Sequence, residues 1–254
     1  MIPINEIEEL AVKTTSDVNS LTHGFPHLKR TAVGARWFSE VLGYDQQDQD
    51  LAYAAGIIHD LHRPNTEKTD HTESSVQEAG DLLSKINLSG DIKSRILEMI
   101  EEHRDASEVD LKNKVVFLSD KLFEQMGAYV VFRRWVWISG ECVDYKGVPF
   151  VEGYIKQSGY RMSKFNVQTF PPAFQKLAEY QFNWAMDFYE ALKQGKEWSL
   201  ELGDFVTENW RNYTILDDVI RHFNPESDEG QKYKQEALDY IDGKKFDYFK
   251  GLVG

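Results

Sequence analysis

The stretch AAGIIHDLHRP, residues 54–64, carries a histidine and an aspartate at the end of an apolar run. Burying the imidazole of His59 beside the carboxylate of Asp60 costs free energy unless both groups are satisfied. Because Pro64 disfavours helical conformation at Arg63, we expect the pair to lie at a helix end. There both side chains can turn toward one shared cation.

The composition of the whole chain is that of a globular protein. Its 254 residues are 41% apolar and 28% charged, which suits one large domain or a domain with an extension. The net charge of -13 argues against duplex nucleic acid as a partner, because binding its phosphates requires a basic face. We find no apolar run of transmembrane length, no signal-peptide pattern and no second cysteine to pair with Cys142. These features predict a cytoplasmic protein without a membrane span.

Helical periodicity recurs along the chain and predicts an all-α fold. In the first half, apolar residues follow the helical spacing over residues 27–42, 48–60, 72–86, 91–104 and 108–126. In the second half, helices are predicted over residues 171–195, 204–222 and 228–241. Residues 130–140 suit either a helix or a short strand, and residues 140–169 are expected to form a long structured loop. The predicted organisation is a helical core over residues 1–128 and a helical extension over residues 129–254 that packs on the core.

Five of the predicted helices carry a metal-competent residue where an apolar one is due. These residues are His27, His59 with Asp60, His71 at a helix start, His103, and Asp120. Any single buried histidine is commonly explained by a hydrogen bond to a carbonyl group. The whole set points to metal binding, because imidazole is a common neutral ligand and carboxylates balance the charge of a divalent cation.

The order His27, then His59 and Asp60, then Asp120 resembles the HD superfamily of metal-dependent phosphohydrolases. HGFPHLKRTAVGA is similar to the helix of the first ligand, AYAAGIIHDLHR to the HD helix, and VVFLSDKLFEQMG to the helix of the final aspartate. The resemblance covers roughly residues 20–128. It implies an all-α HD-domain helical bundle with a helical C-terminal extension.

Two departures from the family pattern narrow the resemblance. Many members continue the HD pair with Ile-Gly, whereas this chain has Leu61 and His62. The nuclease-like members carry histidine pairs, whereas the segment EEHRD holds only His103. The nuclease branch is therefore disfavoured.

The resemblance implies hydrolysis of a phosphomonoester or phosphodiester of a nucleotide or similar small molecule. The implied metal ligands are His27, His59, Asp60 and Asp120, and Asp60 is also the implied catalytic residue beside the attacking water. His71 and His103 resemble the extra histidines of members that hold two metals, so one or two ions are expected. Mixed histidine and carboxylate ligation favours Mn, Fe, Co, Ni or Zn.

Candidate contacts to the substrate phosphate lie in both halves of the chain. The first group is His62 and Arg63, after the HD pair. The second group, which could clamp a phosphate from the predicted loop, comprises Arg133, Arg134, Arg161 and Lys164. A solvated basic surface is the alternative interpretation of the second group. Two other functions stay open, an HD-type diiron oxygenase, which would require iron and oxygen, and a non-catalytic metal-bound ligand-binding module.

Overall fold

A computed structural model describes residues 2–18, 20–68, 72–104 and 110–254. Within these ranges the protein has thirteen α-helices and no strand, which confirms the predicted all-α fold class. The chain forms two compact units, the first from Met1–Asn19 and His23–Glu124, the second from Ser20–Thr22 and Gln125–Gly254. Across the described ranges, every helix is too short or too polar to cross a membrane.

The first unit contains the first six helices. They span Ile4–Thr15 (α1), Phe25–Val41 (α2), Gln46–Ile58 (α3), Thr72–Ser84 (α4), Gly90–Glu101 (α5) and Val115–Leu118 (α6). Local chemistry fixes the starts of α2 and α3. Pro26 occupies the first turn of α2, where its missing N–H has no cost, and the Asp45 carboxylate accepts a hydrogen bond from the Asp48 N–H at 2.9 Å.

Helices α2 and α3 pack closely because small residues meet where they cross. A Cβ atom added at Gly56 of α3 would lie 2.6 Å from the Cα of Ala32 in α2, closer than packed carbon atoms approach. The absence of a side chain at Gly56 therefore permits this close approach. The two helices bury apolar side chains that include Leu28, Ala35, Phe38, Leu51 and Ile57.

Helix α6 is short and runs into a π-helical turn over Ser119–Phe123. The prediction of one helix over residues 108–126 is wrong in its described part, because residues 111–114 form turns and the helical geometry changes at Ser119. Apolar periodicity cannot register such a change, since a π-turn inserts a residue without altering which residues are apolar. Turns of this kind occur often at functional sites, and this one carries Asp120.

The second unit contains the remaining seven α-helices. They span Gly127–Val136 (α7), Phe150–Lys164 (α8), Gln175–Lys193 (α9), Glu197–Asn209 (α10), Leu216–His222 (α11), Asp228–Ile241 (α12) and Phe246–Lys250 (α13). Helix α7 contacts α8, α9, α10, α11 and α12 and so lies at the centre of this unit. The open choice for residues 130–140 is resolved as helix, because α7 continues into a π-helical turn over Trp137–Glu141.

The predicted long loop over residues 140–169 is wrong, since α8 occupies its middle. The buried residues of α8 are Gly153, Tyr154, Gln157, Ser158 and Met162, so a glycine, an amide and a hydroxyl take three of the five positions. A helix whose inner face is polar has no apolar period for sequence analysis to detect.

The predicted helix over residues 204–222 is also wrong as a single element. Helix α10 ends at Asn209, a 3-10 turn spans Trp210–Asn212, and α11 begins at Leu216. The apolar residues of α10 and α11 follow one continuous helical spacing along the sequence, so the periodic pattern alone does not show the break between the two helices.

The short segment Ser20–Thr22 belongs to the second unit because Glu141 binds it. The carboxylate of Glu141 accepts hydrogen bonds from the Ser20 hydroxyl at 2.9 Å and from the backbone N–H of Leu21 at 2.5 Å. Thr22 adds its backbone N–H at 3.3 Å. Buried polar groups require such partners, so Glu141 fixes the chain just before His23.

Candidate metal centre

Three of the predicted ligands meet inside the first unit. His27, His59 and Asp60 each place one candidate ligand atom within 4.8 Å of the other two, and all three side chains are buried. His27 lies in the first turn of α2, whereas His59 and Asp60 follow Ile58, the last residue of α3. The HD pair therefore lies at a helix end, as its sequence predicts.

A buried glutamate orients the imidazole of His27. The Nδ1 atom of His27 lies 2.9 Å from Oε2 of Glu124, whose Oε1 accepts a hydrogen bond from Arg30 Nε, also at 2.9 Å. A carboxylate at Nδ1 favours the tautomer that carries its proton there. The Nε2 atom, 3.8 Å from Oδ1 of Asp120, then keeps its lone pair for a ligand.

The imidazole of His59 is oriented by its own helix. Its Nδ1 atom lies 2.8 Å from the carbonyl oxygen of Gly56, so Nδ1 donates the hydrogen bond. Its Nε2 atom lies 4.0 Å from Oδ2 of Asp60 and has no hydrogen-bond partner in the described parts of the chain. A buried nitrogen with an unused lone pair is costly in an apolar interior, and a metal ion would satisfy it.

His103 repeats this arrangement from the end of α5. Its Nδ1 atom donates to the carbonyl of Ile100, its Nε2 atom lies 4.0 Å from Oδ1 of Asp60, and its ring centroid lies 5.3 Å from that of His59. Burial lowers the pKa of His103 to about 3, so the ring is neutral at pH 7. The structure therefore places a third Nε2 lone pair beside Asp60.

The carboxylate of Asp60 has partners on both of its oxygens. Oδ1 accepts a hydrogen bond from the Ser75 hydroxyl at 3.1 Å, and Oδ2 lies 3.5 Å from Nη1 of Arg63. These two contacts hold the carboxylate in one orientation, and the Nε2 atoms of His59 and His103 lie 4.0 Å from its oxygens. Such partners tune a metal-binding carboxylate.

Asp120 faces two different groups from the π-helical turn. Its Oδ1 atom lies 3.8 Å from Nε2 of His27, and its Oδ2 atom lies 2.5 Å from the ammonium of Lys121. The Lys121 side chain is buried, and its charge helps to lower the pKa of His103. A positive charge therefore already lies on the Asp120 and His103 side of the centre.

The remaining predicted site residues in the first unit have different positions. The Arg63 side chain contacts Asp60, as described above. The His62 side chain is about half exposed, at 49%, and its Nδ1 atom lies 3.3 Å from a Glu78 oxygen. His71 lies outside the described residues, so its role as a ligand stays a prediction.

Arg161 and Lys164 lie in the second unit, on α8 rather than on a long loop. Nη1 of Arg161 lies 3.4 Å from Oε1 of Gln125, whereas Lys164 is exposed beside the Phe165 ring. Their expected role as phosphate contacts stays a prediction. The alternative of a solvated basic surface does not describe Arg133 and Arg134, which are buried.

Sequence reasoning missed three residues of this centre, Glu124, Ser75 and Lys121. Glu124 follows Asp120 by four positions, so it lies one helical turn further along, and an acidic residue at that spacing is the signal that was available. Lys121 and Ser75 carry no such signal, because polar residues in these contexts are usually solvated.

Comparison with known proteins supports the sequence resemblance. Residues 24–124 match the family model of the HD domain. The matched residues include the buried histidines and aspartates described above. HD domains bind divalent metal ions and are generally hydrolase-like enzymes.

A search of solved structures finds a similar protein from Lactobacillus plantarum, determined as a structural genomics target. The match covers 99% of this chain and 98% of that chain, with 16% sequence identity and a TM-score of 0.44. A similarity at this level carries no functional inference. A search of curated proteins finds no match.

Proposed function

We propose that this protein is a metal-dependent phosphohydrolase that cleaves a phosphomonoester or phosphodiester of a nucleotide or similar small molecule. The observation that carries the proposal is the convergence of His27, His59 and Asp60 within the HD domain. Each histidine is anchored through Nδ1, so that Nε2 is available inside a buried site. Such an arrangement is costly without a ligand and is suited to a cation.

The residues that fit a divalent cation are His27, His59, Asp60 and Asp120. Two imidazoles and two carboxylates match the donor preferences of Mn, Fe, Co, Ni and Zn better than those of Mg, which prefers oxygen ligands. When bound, such a cation acidifies water and polarises phosphoryl oxygens. We propose one ion per chain, because the buried ammonium of Lys121 next to Asp120 would repel a second.

Asp60 is the residue proposed to hold the attacking water. The Ser75 hydroxyl and Arg63 fix its carboxylate, so a water bound to it would be oriented. A carboxylate can also accept the proton that this water loses, as a general base. His103 is neutral, and its Nε2 atom beside Asp60 is a second acceptor for that water.

Two positively charged side chains of the centre are suited to bind the substrate. The guanidinium of Arg63 and the ammonium of Lys121 lie beside Asp60 and Asp120, respectively. Charge-assisted hydrogen bonds to phosphate oxygens are strong in a site of low polarity. These groups give an acidic protein, of net charge -13, a local positive charge for an anionic substrate.

The test combines metal analysis with a screen for released phosphate. Protein purified without added metal is analysed for bound transition metals and then assayed on a panel of nucleotides and sugar phosphates with each candidate ion. We expect one metal equivalent per chain and phosphate release. Asp60→Asn should abolish this release, whereas the control Asp81→Asn, at an exposed position of α4, should not change it.

Other outcomes would contradict the proposal. Iron-loaded protein that consumes oxygen on addition of a substrate, and releases no phosphate, would favour an oxygenase. Stoichiometric metal binding without turnover on any compound of the panel would favour a binding module.

A further inference from the structure

The second unit contains a group of buried polar side chains that are not part of the candidate metal centre. That centre, formed by His27, His59, Asp60 and Asp120, is called the HD centre below. It comprises Arg134 on α7 with Tyr154 and Ser158 on α8, which we name the buried donor cluster. Arg134 is 5% exposed, and Tyr154 and Ser158 are fully buried. Polar side chains at this depth normally have partners inside the protein.

The guanidinium of Arg134 lacks a compensating negative charge. Its Nη2 atom donates to the carbonyl oxygen of Gln125 at 3.0 Å, but Nη1 has no hydrogen-bond partner and no carboxylate forms an ion pair with it in the described chain. Burial lowers its pKa most, Tyr154 raises it, and the positive charges of Arg161 and Arg133 lower it further. A guanidinium nevertheless stays protonated at pH 7, so a positive charge is buried here.

The two hydroxyls of the cluster also lack well-formed hydrogen bonds. Among the described residues, neither Tyr154 OH nor Ser158 Oγ makes a contact with full hydrogen-bond geometry, although Tyr154 OH lies near both Arg134 and Ser158. Burial raises the pKa of Tyr154 to about 12, although the Arg134 charge and imperfect hydrogen-bond contacts with Arg134 and Ser158 lower it. The phenol therefore stays protonated, and Arg134, Tyr154 and Ser158 can all donate hydrogen bonds to one acceptor.

The missing partner must accept hydrogen bonds and carry negative charge. A water molecule would satisfy the hydroxyls but would leave the Arg134 charge uncompensated, which is costly in the interior. A phosphoryl group supplies two negative charges and three acceptor oxygens, and it suits the planar fork of a guanidinium. The positive charges of Arg133 and Arg161, which act on Arg134, add to the positive potential.

We propose that the buried donor cluster is a binding site for the phosphoryl group of a small molecule. Its support comes from side chains of the second unit alone, so the proposal does not depend on hydrolysis at the HD centre. The ring of Tyr154 stacks on that of Trp135, with centroids 4.9 Å apart, so packing fixes the position of the phenol.

Binding of inorganic phosphate to the full-length protein tests this site. Titration calorimetry at constant ionic strength would compare the unmodified protein with Arg134→Met, Tyr154→Phe and Ser158→Ala. We expect Arg134→Met to weaken phosphate binding by roughly tenfold to a hundredfold, because one charge-assisted contact is lost. Tyr154→Phe and Ser158→Ala should each weaken it severalfold, and the control Lys156→Gln, at an exposed position of α8, should leave it unchanged.

Two further measurements separate this site from the alternatives. Asp60→Asn, which alters the HD centre, should leave the cluster's phosphate affinity unchanged, so failure of the hydrolase proposal would not affect this result. Without phosphate, Arg134→Met should melt at the same temperature as the unmodified protein or higher, because it removes an uncompensated buried charge. In the Asp60→Asn background as in the unmodified protein, phosphate should raise the melting temperature more when the cluster is intact than when Arg134→Met is present.

Several results would overturn the proposal. Phosphate that does not bind at up to about 10 mM, or that binds Arg134→Met and Tyr154→Phe as tightly as the unmodified protein, would exclude the site. A lower melting temperature of Arg134→Met without phosphate would show that Arg134 serves only the fold. Equal binding of acetate would show that the site does not select a phosphoryl group.

Discussion

Glu124 controls which nitrogen of His27 is available, and replacing it with glutamine tests this role. In the structure its Oε2 accepts from His27 Nδ1 and its Oε1 accepts from Arg30 Nε, each at 2.9 Å. Glutamine keeps the size of the side chain but has only one carbonyl oxygen. Its amide group can therefore accept from one of the two donors only and must direct its NH2 group at the other.

The charged guanidinium of Arg30 is the stronger competitor for that carbonyl oxygen, because hydrogen bonds to ionised groups are about twice as strong as neutral ones. The NH2 group then faces His27 Nδ1, which becomes an acceptor, and the ring proton moves to Nε2. A protonated Nε2 atom cannot bind a metal ion. We expect Glu124→Gln to weaken metal affinity by about 10- to 100-fold and to lower the free energy of unfolding by about 1–3 kcal/mol.

Metal affinity would be measured by competition with a chromophoric chelator, and stability by denaturant unfolding followed by circular dichroism. The matched control is Glu101→Gln, at an exposed position of α5, which removes the same charge and should change neither quantity. In an Arg30→Met background the amide can turn its oxygen to His27, so Glu124→Gln should cost less metal affinity there. Unchanged metal affinity of Glu124→Gln in the native background would refute this account of how His27 is oriented.

Three further predictions concern packing, catalysis and pH. Gly56→Ala should lower the free energy of unfolding by about 1–3 kcal/mol, because its Cβ atom would overlap Ala32. The control Gly80→Ala, whose Cβ atom would have only a distant contact at 4.0 Å, should raise it by up to about 1 kcal/mol. Thermal melts of both variants test these expectations. Asp60→Ala should abolish turnover while circular dichroism keeps its helical signal, and wild-type rates with normal metal content would rule out its proposed role. Burial lowers the pKa of His103 from 6.5 to about 3 in the folded protein. Between these two pH values only the unfolded chain binds a proton at His103, so the free energy of unfolding of the metal-free protein decreases as the pH falls from 6.5 to about 3. His103→Asn should make this pH dependence shallower and leave the metal content at one ion per chain, whereas loss of metal would favour the two-metal arrangement.

Much of the HD centre is predictable from the sequence because helical spacing converts directly into position. His59 and Asp60 end an apolar stripe, and Pro64 follows shortly after them, so a helix end with two inward-facing ligands is expected. The all-α fold follows from the same periodicity, which depends on local residues alone. The second unit was harder to predict because the inner face of α8 is polar.

The sequence by itself determined the class of fold, the order of the candidate ligands and their positions on helices, since these depend on residues near one another in the chain. Only the tertiary structure decided which nitrogen of each histidine keeps a lone pair that can bind a metal ion. The Nδ1 atom of His27 is occupied by Glu124, which lies 97 positions away, and Asp60 is held by Ser75 from another helix. Hydrogen bonds between distant segments leave no periodic trace, because they depend on where whole helices pack and not on local spacing.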